Sequence, residues 1–144
     1  MKNNSTHSNV VINNEQDTVS ISLNIQDYIE KVCAHLDLTY DHIEITLLSK
    51  DAIAQLNHDY FDQHLPTDTI SFNLTPDAEI TGDIYLCPAV IFENAGTYSS
   101  DFDEELKIVL IHSILHLMGH ADDTPEDYDR MKKSQDHIYN QLNQ

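Results

Sequence analysis

The run Ile108 to Met118 constrains this chain more than any other segment. It is apolar at every position except His112, Ser113 and His116. A helix that is apolar nearly all round has no face to show to water, so it must lie inside the molecule with other elements packed around it. His112 and His116 stand four apart, which places both imidazoles on one helical face, one turn from each other. Each buried imidazole needs partners for two ring nitrogens or carries a desolvation penalty. A metal ion satisfies one nitrogen of each.

The rest of the chain supplies the layers. Val10 to Ile12 and Val19 to Leu23 carry β-branched residues and read as short strands. Ile25, Tyr28, Ile29, Val32 and Leu36 follow helical spacing, giving a first helix over Ile25 to Leu36. Ile43, Ile45 and Leu47 alternate with polar residues as a half-buried strand does. Ser49 is placed to cap a second helix reaching Tyr60. After Pro66-Thr67-Asp68, the segment Thr69 to Leu74 reads as strand, and so does Ile80 to Leu86, interrupted at Gly82-Asp83. The short link between these two makes them antiparallel neighbours. Pro88 opens a helix to Ala95 that Gly96 ends. Asp101 and Glu104 form a cap-like pair before the histidine helix, Phe102 to Met118. Thr124-Pro125-Glu126-Asp127 starts a last helix running to about Leu142. The expected fold is α+β: one layered domain over residues 10–144, with a small mixed sheet packed by helices and the histidine helix central. Residues 1–9 are expected to be a flexible N-terminus.

Composition narrows the function. The chain has 144 residues, and an apolar content of 40% excludes wholesale disorder. No stretch approaches the ~20 apolar residues that span a bilayer. The polar start lacks the apolar core of a signal peptide, so a cytoplasmic location and no membrane partner are expected. Cys33 and Cys87 read as buried thiols. The 25 acidic residues outweigh 7 basic ones to give a net charge of −18, and Arg130 is the only arginine. Such a surface repels a phosphate backbone, which is ordinarily held by lysine and arginine.

Gly119 lets the chain leave the histidine helix, and His120 and Asp122 follow within reach of the same point. The spacing His-x-x-x-His-x-x-Gly-x-x-Asp matches the extended zinc signature of metzincin peptidases, with Asp122 where a third histidine usually stands. His120 competes as the third ligand by chemistry; Asp122 is preferred because it lies three past the glycine. Two histidines and a carboxylate leave one less positive charge on the site than three histidines, so bound water is acidified less. The peptidases carry a glutamate directly after the first histidine as general base. Here that residue is Ser113, whose hydroxyl cannot take a proton at neutral pH, so a peptidase is disfavoured.

Three further segments extend the comparison. The chain resembles the YbeY family, single-domain bacterial metalloproteins described as endoribonucleases. The family's zinc helix, His-Gly-x-Leu-His-Leu-x-Gly-Tyr-x-His/Asp, is similar to His112-Ser113-Ile114-Leu115-His116-Leu117-Met118-Gly119-His120-Ala121-Asp122. Its Asn-x-x-Tyr element and Pro-Thr-Asp-Val-Leu-Ser-Phe segment look like Asn57 to Tyr60 and Pro66 to Phe72. Its Gly-Asp-Ile strand looks like Gly82-Asp83-Ile84, and its Glu-Asn-Ala segment like Glu93-Asn94-Ala95. The resemblance covers roughly residues 44–140. It implies one zinc ion on His112, His116 and Asp122, and cleavage of single-stranded RNA. It also implies roles in ribosomal RNA maturation and ribosome quality control, with the small subunit or an assembly factor as partner. The chain departs from the family at Phe61, where an arginine usually stands, at Ser113 in place of glycine, and at His120 in place of an aromatic residue.

A one-zinc phosphodiesterase polarises a phosphoryl oxygen and activates water or a ribose hydroxyl. Asp68, Ser71, Asp83 and His120 are the candidates to line the cleft and move protons, and none is singled out as general base. The competing reading is a metal-stabilised ribosome-assembly or binding factor with little turnover, which the shortage of basic residues favours.

Overall fold

The computed structural model describes residues 9–143. Four strands and five helices follow in the order β1 (Val10–Asn14), α1 (Ile25–His35), β2 (Tyr40–Leu47), α2 (Lys50–Phe61), β3 (Thr69–Asn73), β4 (Ile80–Leu86), α3 (Pro88–Thr97), α4 (Phe102–Leu117) and α5 (Pro125–Leu142). The sheet order is β1-β2-β4-β3. β1, β2 and β4 run parallel, and β3 lies antiparallel to β4 at the edge. This is the expected α+β arrangement with a small mixed sheet. Among the described residues no helix is long and apolar enough to cross a membrane.

Alternation along the strands sorts the two faces. On β2, Ile43, Ile45 and Leu47 are buried; they stand in register with Gly82, Ile84 and Leu86 of β4. That face meets α1 and α4 in the main core, which gathers Ile29 and Val32 of α1 with Leu106, Leu110, Ile114 and Leu117 of α4. Full burial of each such side chain stabilises the fold by about 1.5–3 kcal/mol. The opposite face carries a smaller cluster of Ile53 from α2, Ile70 and Cys87, flanked by Phe72 and Tyr85. The histidine helix thus lies against the sheet, as its apolar composition requires.

Local chemistry sets most helix starts. The side chain of Ser49 accepts from Ala52 N–H, that of Asp101 from Glu104 N–H and that of Thr124 from Asp127 N–H. Each removes one unpaired donor of a first turn, worth about 1 kcal/mol. Both cysteines are free and buried, and burial, reinforced by Glu30, pushes the Cys33 thiol up to about 12.

Three local expectations are corrected. Val19 to Leu23 form no strand; at the first of these residues Gln16 captures the backbone instead, its Oε1 accepting from Thr18 and Val19 N–H and its Nε2 donating to Val19 C=O. β4 runs unbroken through Gly82-Asp83. α3 continues through Gly96 to Thr97, and its left-handed exit is Ser99 at φ 56°. The flexibility expected for residues 1–9 lies outside the described residues except at Asn9, whose carbonyl accepts from Ile43 N–H at 2.8 Å.

Candidate metal centre

The end of α4 builds the site. Met118 closes the helix, and Gly119 follows at φ +98°. The Gly119 N–H donates to His116 C=O and the His120 N–H to Leu115 C=O, the paired bonds of a Schellman cap. A side chain at that φ is strained, so glycine is required here for its backbone freedom. The cap reverses the chain and returns Asp122 over the helix face that carries the histidines.

The result is a convergence of three donor atoms. His112 Nε2 and His116 Nε2 are 3.0 Å apart, and Asp122 Oδ2 lies 3.5 Å from the first and 3.3 Å from the second. A tetrahedral ion with bonds of about 2.0–2.2 Å separates its donors by roughly 3.3–3.6 Å. The spacing therefore fits a small ion, and the group could hold a metal. Gln135 Oε1 accepts from His112 Nδ1–H at 2.9 Å. That bond leaves the Nε2 lone pair facing the other two donors, the orienting role a second layer of residues plays around a metal.

Gln135 is a residue the sequence reading missed. Its signal was available: Met131, Gln135 and Ile138 follow helical spacing on α5, and Met131 and Ile138 are buried. A glutamine inside an apolar stripe marks a polar partner across the helix interface.

The other named residues scatter. Ser71 and Asp68 line a cleft of about 580 Å³ together with His112, His116 and Asp122. The Ser71 hydroxyl is buried and has no hydrogen-bond partner among the described residues. His120 instead lines a separate hollow with Gly119, Asp127 and Arg130, apart from the three converging donors. Asp83 is corrected most clearly. Its neighbour Gly82 faces Leu117 of α4, so strand alternation turns Asp83 to the opposite side of the sheet, beside Glu44. Ser113 faces the sheet too. It is fully buried, donates to Val109 C=O and accepts from Thr69 Oγ1–H, each at 2.8 Å.

Asp83 still carries a measurable property. Burial raises its pKa, the Glu44 charge raises it further, and His42 partly offsets both. A carboxyl with a raised folded pKa binds its proton more tightly when folded. Its contribution to stability is full below the unfolded pKa of about 3.9 and is lost as pH rises through the folded value. Asp83→Asn is therefore expected to melt above the wild type at pH 7.5, with the gain shrinking towards pH 4. Thermal melts of both proteins across that range check it; a gap that does not depend on pH would contradict the assignment.

Known proteins match this chain along most of its length. A family model described as "Endoribonuclease YbeY" matches residues 11–143. An "Endoribonuclease YbeY" of Protochlamydia amoebophila is 35% identical over 133 residues, 88% of this chain and 89% of the relative. One from Chlorobium luteolum is 43% identical over 88 residues, 61% of this chain and 64% of the relative, so that alignment spans just under two thirds of its length. A solution structure from Thermotoga maritima, 29% identical, superposes with a TM-score of 0.61 over 92% of this chain and 91% of the other. A match over residues 11–143, a shared fold and three donors converging at the end of α4 agree: the chain belongs to the endoribonuclease YbeY family.

Proposed function

We propose that this protein is a zinc-dependent endoribonuclease that cleaves single-stranded RNA, acting in the cytoplasm in ribosomal RNA maturation and ribosome quality control. The observation that carries this reading is the convergence of His112, His116 and Asp122 beside an open cleft, in a chain of this family. A bound zinc ion supplies a Lewis acid for a phosphoryl oxygen and a water of lowered pKa. The chain's own residues do the rest. Gln135 holds the His112 tautomer. Asp68 stands in the cleft wall as a proton acceptor. The buried, doubly bonded Ser113 supplies no general base, which argues against peptide hydrolysis.

The second reading, a metal-stabilised ribosome-assembly factor with little turnover, draws on the net charge of −18. Zinc-loaded protein incubated with single-stranded RNA and with casein separates the readings. Cleavage of RNA alone supports the nuclease. An intact RNA together with co-sedimentation on small subunits supports the assembly factor, and casein cleavage supports the peptidase.

A further inference from the structure

Among the described residues, the cleft beside the three donors has no lysine or arginine in its lining; Lys132 lines a neighbouring hollow with His112 and Asp122 and pairs with Asp136. Phe61 stands in the cleft lining instead, as the last residue of α2, 52% exposed. Its ring lies parallel to that of Phe72 (interplanar angle 4°, centroids 6.1 Å apart), and Tyr60, 64% exposed, leans on Phe72 at 5.0 Å. Phe72 is in turn braced edge-on by Tyr85 from β4. The platform is held in place by its surroundings. Asp62 ends α2 in a left-handed conformation at φ 55°, and Asn57 Nδ2 donates to Leu65 C=O at 3.0 Å, pinning the loop that leads back to β3. Exposed, pre-positioned aromatic rings at the lip of a reactive cleft mark a binding surface. Flat parallel faces suit a π-partner better than an aliphatic side chain, and among the described residues no lysine or arginine lines this cleft to hold a phosphate.

We propose that Phe61, supported by Phe72 and Tyr60, is a stacking platform for a nucleobase of the single-stranded substrate, so that this protein grips its RNA by bases where cations would ordinarily hold phosphates. The inference rests on the nucleic-acid reading above. Base–aromatic stacking tolerates any sequence and is worth a roughly five- to hundredfold change in affinity per base on alanine substitution.

The test uses zinc-loaded full-length protein and a 2′-O-methyl phosphorothioate hexanucleotide, whose blocked ribose hydroxyls and sulfur-substituted phosphates resist cleavage, beside the same backbone made abasic. Wild type is expected to bind the hexanucleotide about tenfold or more tightly than the abasic strand, with a shallow salt dependence. Phe61→Ala should lose that preference while keeping its melting temperature and zinc content, and Phe61→Tyr should retain it. Phe61→Arg should bind both strands alike, with the slope of log K against log salt steeper by about 0.7. Binding that ignores both the bases and residue 61 overturns this inference alone and makes the rings a contact for a protein partner. Failure of wild type to bind either strand, together with failure to cleave RNA, overturns the nucleic-acid reading as well.

Discussion

His116→Ala is expected to lower zinc affinity by at least about a hundredfold and to bring RNA cleavage down to background. Removing an outer residue that merely orients a ligand costs about 10–100-fold, so removing a donor itself costs no less. The geometry explains why the loss is not made good locally. The three donors sit 3.0–3.5 Å from one another at the end of one helix and its cap, and His120, the nearest further imidazole in the chain, lines a different hollow. Asp122→Ala should behave like His116→Ala, whereas His120→Ala should keep its metal. Metal content per chain after dialysis, followed by cleavage of a labelled single-stranded RNA, reads all three. Stoichiometric zinc in Asp122→Ala would move the third ligand elsewhere, and undiminished cleavage by His116→Ala would trace the activity to a contaminant.

Gly82→Val is expected to destabilise the protein by about 1–3 kcal/mol, the cost of overpacking a filled core. A Cβ at Gly82 would lie 2.7 Å from Leu117 Cδ1 and 3.0 Å from Cδ2. Leu117 cannot easily yield: it is 1% exposed, and its carbonyl accepts from Asn73 Nδ2 at 2.9 Å. The valine therefore drives a wedge between β4 and the helix end that carries His116. Melting temperature should fall by about 2–4 °C for each kcal/mol, and zinc affinity should fall with it. Leu117→Ala alone costs about 2–5 kcal/mol through the cavity it leaves. In the double variant the valine occupies part of that cavity, so the combined loss should be smaller than the sum of the two. Strict additivity would show that the close approach is relieved some other way.

The fold was legible where information is local. Ser49, Asp101 and Thr124 marked helix starts through their own side-chain oxygens, and all three hold the bonds their positions suggested. The alternation on β2 placed Ile43, Ile45 and Leu47 inward. Reading failed where a residue's conformation depends on a distant neighbour. Val19 has a strand-forming side chain, but Gln16 takes both of the backbone groups that a ladder needs from it. Gly82 looked like a break in a strand and is a strand residue that makes room for Leu117. Gly96 looked like a stop and lies inside a helix that runs to Thr97, with the left-handed residue at Ser99 beyond it.

By itself the sequence determined that a doubly histidine-bearing, all-round apolar helix would lie inside the molecule and end at Gly119. Periodicity, burial and the backbone freedom of glycine are properties of short segments. Only the tertiary structure decided which side chains share a point in space. It turned Asp122 inward and His120 aside, sent Asp83 to the far face of the sheet, and brought Gln135 from α5 onto His112. The same packing set Phe61 on Phe72 at the lip of a cleft that, among the described residues, is lined by no lysine or arginine. Apart from Asp122, which the spacing past Gly119 already pointed to the histidines, those meetings depend on helix crossing, strand register and loop closure between residues far apart in the chain.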